Sequence, residues 1–208
     1  MKKLMLAVAL AISCTGAAAH AQAMGGMNNA APEDKSKRPS PPREAGVTLK
    51  GVKVHIDYSA PSLRGRKALG SELIPYDTWW RTGANEATTF ETTGDTMVGT
   101  LRVPAGKYTI VTLPSAGTWQ LVICKHTGQW GTERYEAEDL GKVPMMKITL
   151  PKPQETMSIS FEKTVGARTQ LHIKWDTADV WVPVTIDEKG SMKTQGPPAH
   201  FQPLTASR

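Results

Sequence analysis

In Val52-Lys53-Val54-His55-Ile56-Asp57-Tyr58, four apolar side chains alternate with three polar ones. Successive side chains of a β-strand point to opposite faces, so this spacing describes a strand with one buried face and one wetted face. The pattern recurs at 157–162, where Met157, Ile159 and Phe161 face one way and Ser158, Ser160 and Glu162 the other. Further β-rich runs cover 87–92, 100–103, 107–113, 119–125, 147–150, 169–175 and 180–186, with Gly, Pro and Asp between them. Pro104-Ala105-Gly106 reads as a tight turn ahead of one of these runs. About nine short strands at this spacing predict an all-β, antiparallel β-sandwich. No long amphipathic helical pattern and no internal repeat competes with that reading. The strands span one domain over 46–186, a length ample for one core and short for two.

The flanks have a different character. From 22 to 45 the chain is Ala, Gly, Met, Asn, Pro and charge without apolar periodicity, and it reads as a disordered leader. A flexible tail is expected over 187–208, where Gly190, Gly196, Pro197, Pro198 and Pro203 interrupt regular structure. Residues 1–21 have the order of a secretory signal: basic Lys2 and Lys3, an apolar stretch from Leu4 to Ile12, and small residues leading to Ala19-His20-Ala21. Cleavage is expected after Ala21, which places the mature protein in the periplasm or outside the cell. The alternative is a lipoprotein cut before Cys14. Nine apolar residues are too few to span a hydrocarbon layer of roughly 30 Å as a helix, so no membrane span is expected after cleavage.

Cysteine and charge narrow the class further. The chain has two cysteines, Cys14 and Cys124, and loss of the first leaves no internal disulfide. Stability then rests on the core. Signal removal takes Lys2 and Lys3 and leaves 23 basic against 19 acidic residues, a net charge of +4. The bases Lys35, Lys37, Arg38 and Arg43 sit in the leader, and the domain itself is near balance. A nucleic-acid function is therefore not expected.

One connection is unusually long for a sandwich. It runs Tyr58-Ser59-Ala60-Pro61-Ser62-Leu63-Arg64-Gly65-Arg66, continues through Pro75-Tyr76, and ends Trp80-Arg81-Thr82-Gly83-Ala84-Asn85-Glu86-Ala87-Thr88. With Ala105-Gly106-Lys107-Tyr108, Trp119 and Trp130-Gly131, these residues resemble the bacterial domain-of-unknown-function family 2911 over roughly 39–186. The nine-residue match from Trp80 to Thr88 is its most specific part. The resemblance implies an envelope β-sandwich and carries no assigned reaction. Ala60 departs from it, standing where the family usually has Arg.

Within this connection, guanidinium donors lie beside aromatic faces, a combination suited to a carboxylate, phosphate or sugar. The candidate ligand-binding residues are Arg66, Tyr76, Trp80, Arg81, Asn85 and Glu86. Arg66 and Arg81 would hold a polar or anionic group, Asn85 and Glu86 would orient it, and Trp80 would form an apolar wall. The competing view is structural: Arg81 pairs with Glu86, Asn85 satisfies a turn, and the Trp residues cap the sandwich. Whether the domain is an enzyme stays open, with non-catalysis favoured. No Gly-x-Ser-x-Gly elbow, His-Glu-x-x-His signature or phosphate-cradling Gly-Lys-Ser/Thr loop is present. The catalytic alternative is a hydrolase with Glu86 as base. No cofactor or metal is called for: Cys124 and His126 are two apart, but alternation from Trp119 through Lys125 makes Cys124 read as a small, structural core residue. His55 and His172 alternate with apolar neighbours and are expected on solvent faces. The leading expectation is a non-catalytic envelope domain that binds a small polar or anionic ligand, or an envelope protein, through the Arg64 to Glu86 surface; purely structural service is the third.

Overall fold

The computed structural model describes residues 33–186. The expected signal peptide with its cut after Ala21, the lipoprotein alternative at Cys14, the leader as far as residue 32 and the tail 187–208 lie outside those residues. Ten strands form: β1 (Pro42–Leu49), β2 (Val52–Ser59), β3 (Thr89–Thr92), β4 (Thr96–Val98), β5 (Leu101–Val103), β6 (Gly106–Leu113), β7 (Gln120–Cys124), β8 (Asp139–Pro144), β9 (Met146–Val165) and β10 (Arg168–Ile186). They make a six-stranded sheet in the order β1-β2-β3-β6-β7-β8 and a four-stranded sheet in the order β5-β4-β10-β9. Every pairing between these strands is antiparallel.

The alternation read from the sequence sets the faces. Val54, Ile56 and Tyr58 of β2 enter the core, as do Met157 and Ile159 of β9. Leu171, Ile173 and Trp175 meet them from β10, and Phe90, Ile110, Leu121 and Ile123 from the first sheet. This arrangement is the expected sandwich. The chain passes between the sheets from β3 to β4, from β5 to β6 and from β8 to β9, the last through one buried residue, Met145.

Three strands, β1, β4 and β8, were not legible as β-runs. The leader boundary is corrected with them. Residues 35–37 form a 3-10 turn, and β1 starts at Pro42, pairing with β2 from Pro42↔Ser59 to Leu49↔Val52. Backbone pairing does not need apolar alternation, so a Pro- and charge-rich edge strand such as Pro42-Arg43-Glu44-Ala45 leaves little compositional trace. Conversely, runs expected as separate short strands fuse into β9 and β10. Pro151 and Pro153 interrupt the pattern but lie in β9, an edge strand, where a missing N–H facing solvent costs little. Two register shifts flank Asp176 of the partner strand, whose φ is 51°, and the extra residues lie on β9.

The connection between β2 and β3 bridges the two sheets. Leu63 N donates to Glu155 O on β9 at 2.9 Å, and Asp77 N donates to Pro114 O at 2.8 Å. Trp80 and Thr112 exchange two backbone bonds, 2.7 and 2.9 Å long. Leu63, Ala68, Leu69, Ile74 and Trp80 from this stretch are part of the core.

Candidate functional site

The six residues expected to bind a ligand do not form one open cleft. Arg66 folds back on its own turn, its Nε and Nη2 donating to the carbonyls of Leu63 and Ser62 at 2.9 and 3.0 Å. Tyr76 lies half-exposed against Gly70, where an added Cβ would come within 2.6 Å of its ring. Gly70 also has a φ of 67°, so glycine is required there twice over. Trp80 is buried, stacked on Trp175 at 5.7 Å and edge-on to Trp119 at 6.4 Å, and its Nε1 donates to Gly83 O. It is a wall of the core rather than of a ligand site.

The nine-residue segment builds a rigid frame. Thr82 and Asn85 both have φ 57°, a cost for β-branched Thr that its surroundings must hold in place. Thr82 Oγ1 donates to Trp80 O, and Thr82 O accepts from Thr88 Oγ1 at 3.0 Å. Asn85 tolerates the left-handed region better; its Nδ2 donates to Ser40 O at 3.0 Å, and its carbonyl accepts from Gly131 N at 3.1 Å. Arg81 Nη1 reaches the same carbonyl at 3.4 Å, with its stem packed where a Cβ on Gly131 would sit. Burial lowers the pKa of Arg81 from the usual arginine value.

Glu86 is partnered by the leader, not by Arg81. Lys35 Nζ donates to Oε1 at 2.8 Å, and Arg38 Nη1 reaches both carboxylate oxygens at 2.9 and 3.0 Å. The hydrogen bond from Lys35, aided by Arg38, holds the Glu86 carboxyl down to about 2 against the opposing effect of burial. A group so acidic is a poor proton acceptor at neutral pH, which weighs against Glu86 as a general base.

Glu86 does border an open space. A cavity of about 470 Å³ lies over the outward face of β1, β2 and β3, with Lys35, Pro42, Asp57, Ala87 and Thr89 in its lining. Arg43, Glu44 and Glu86 add charge of both signs to its lining. Of the six expected ligand residues, only Glu86 lines it. Next to it, Glu44, His55 and Asp57 place three potential metal-ligand atoms within 4.8 Å of one another. Glu44 was missed because it fell inside the presumed leader.

Cys124 is buried as expected, at 1% exposure, but it alternates away from the core residues Leu121 and Ile123 and lies against the 125–138 connection on the outward side of the first sheet. Its thiol donates to Tyr135 O at 3.3 Å, and burial raises its pKa. His126 stacks on Tyr135 and bonds Glu138 through Nδ1 at 3.0 Å. His172 corrects the expectation of a solvent face: it is 2% exposed. It alternates outward on β10, but its Nδ1 donates to Asp179 at 2.7 Å and its ring stacks on Trp181. Side chains of its own sheet cover it, which a face assignment from periodicity does not reveal.

Fold and site together define an all-β sandwich domain with a charged cavity on the outward face of one sheet. The chain belongs to the family described as Protein of unknown function (DUF2911), whose model matches residues 40–184. That match begins just before β1, in agreement with β1 as part of the domain. No curated protein and no solved structure matches the chain. Among the described residues no helix is long and apolar enough to cross a membrane.

Proposed function

We propose that this protein is a non-catalytic binding domain of the bacterial envelope, taking a small polar ligand in the cavity between the leader and the β1–β3 face. One observation carries the reading: an open space of about 470 Å³ lined by both basic and acidic side chains. Concave sites with a few fixed polar groups are the usual form of small-molecule sites. The lining holds Lys35 and Arg43 against Glu44, Asp57 and Glu86, which favours a zwitterionic or cationic molecule over a simple anion. The Trp80 to Thr88 segment then serves as the frame that fixes Glu86 at the cavity wall. Export is supported by the basic start, apolar core and Ala19-His20-Ala21 of the first 21 residues.

The experiment uses protein recovered from the envelope, with its first residue read as Gln22, in a thermal-shift screen of amino acids, polyamines, sugars and phosphates. At least one zwitterion or cation should raise the melting temperature. Ala87→Trp, which fills the cavity from a half-buried position, should abolish that rise while leaving the unliganded melt in place. A panel without a hit, or a response unchanged in Ala87→Trp, would remove this reading and leave the segment as a structural plug.

A further inference from the structure

Glu44, His55 and Asp57 share the outward face of the β1–β2 pair because of register. Glu44 stands opposite Asp57 and Gly46 opposite His55, and residues two apart on a strand face the same way. Two carboxylates are thus directly opposed across the strands, a placement that destabilises a sheet unless positive charge offsets it. A third, Glu91, stands opposite His55 from β3. Of the bases nearby, Lys35 is held by Glu86 at 2.8 Å, Lys107 stands opposite Glu91, Lys53 lies beyond His55 on the side away from Asp57, and Arg43, next to Glu44 in the chain and also on the cavity lining, stands opposite Tyr58 and alternates to the other face. A local conflict of this kind is a recognised mark of a functional position.

The geometry suits a small ion. His55 Nε2 lies 2.9 Å from Asp57 Oδ1 and 3.8 Å from Glu44 Oε2. Two ligand atoms on one zinc ion, each bonded at about 2.1 Å, stand roughly 3.4 Å apart at a tetrahedral angle. Small rotations of exposed side chains therefore bring all three onto one centre. Thr89 Oγ1 holds the other Asp57 oxygen at 3.3 Å, which leaves Oδ1 turned to the cluster. Gly46 puts no side chain against the ring; a Cβ there would only graze Nδ1 at 3.6 Å. One imidazole with two carboxylates is a donor set for zinc-type ions, whereas calcium and magnesium favour all-oxygen sites.

We infer that Glu44, His55 and Asp57 bind one divalent first-row transition-metal ion of the zinc type, through His55 Nε2 and one oxygen of each carboxylate. Remaining coordination positions stay open on the cavity side, since Glu44 and Asp57 also line that space. The ion takes the position of the Nε2 proton and neutralises the opposed carboxylates. The inference stands whether or not the cavity takes an organic ligand.

The test is calorimetric titration of the chelator-treated full chain with zinc ions, paralleled by cobalt titration read in the visible spectrum. One saturable equivalent is expected, with a rise in melting temperature. His55→Ala and Glu44→Gln should each weaken zinc affinity by at least about tenfold, the lower bound typical even of residues that only support a ligand. In the metal-free state Glu44→Gln should melt no lower than the natural chain, because it relieves the opposed charges; this separates loss of a ligand from loss of fold. No saturable binding at millimolar zinc, or undiminished affinity in His55→Ala, would overturn the inference.

Discussion

At Glu86, two cations from the preceding segment set the charge state of a residue some fifty positions later. Unfolded, the carboxyl titrates near its ordinary value of 4.5; folded, it is held at about 2. Between these values the folded chain keeps the carboxylate while the unfolded chain takes up a proton. The contribution of the Lys35 and Arg38 contacts is therefore full above the unfolded pKa and is lost as pH falls toward the folded one. The side chain is 37% exposed, so solvent screening makes the effect modest. Urea denaturation from about pH 6 down to about pH 2 should show the natural chain more stable than Glu86→Gln at the upper end, with the two converging at the lower. A difference that does not change across this range would mean that the ion pairs are not what holds Glu86.

Among the elements, β10 depends on the irregular pairing around Asp176, where two register shifts leave extra residues on β9. Asp176, buried at the register shift with φ 51°, accepts through Oδ2 from Ala68 N and Leu69 N at 2.9 and 3.2 Å. It joins the long connection to the second sheet, satisfying two backbone donors that would otherwise be buried without a partner. Asp176→Ala removes both bonds and puts Ala into the left-handed region, so about 3 kcal/mol or more of stability should be lost. Asp176→Asn keeps an acceptor oxygen and the tolerance for positive φ, and should lose no more than about half of that. Equilibrium denaturation of both variants decides the matter: equal losses would show that the side-chain acceptor is not what matters. The same irregularity explains why the expected short strands merge, since β9 takes up the extra residues and both strands continue past it.

For the molecule as a whole, the domain begins earlier than its composition indicates. Residues 34–45 supply half of β1, the Ser40 carbonyl bonded by Asn85, both cations on Glu86 and one wall of the cavity. A chain starting at Gly46 should melt at least about 5 °C below one starting at Asp34, since each kcal/mol lost moves a domain of this size by roughly 2–4 °C. Coincident thermal melts would return these residues to the status of a tether.

What the sequence by itself determined is local. Period-two alternation from Val52 to Tyr58 and from Met157 to Glu162 assigned faces, because a strand's pleat maps neighbours in sequence onto opposite sides whatever the strand later pairs with. The Trp80 to Thr88 motif marked the segment that proves to be the frame, and Cys124, without a second cysteine in the domain, left stability to the core. Only the tertiary structure decided which side chains meet. Glu86 could be matched to Arg81 by proximity along the chain, yet its partners are Lys35 and Arg38, 51 and 48 residues away. His172 is outward by periodicity and still buried, because Trp181 and Asp179 fold over it. Glu44 reaches His55 and Asp57 only through the register of β1 on β2. Register and the return of distant segments depend on the total packing of both sheets, and no local pattern of residues encodes them.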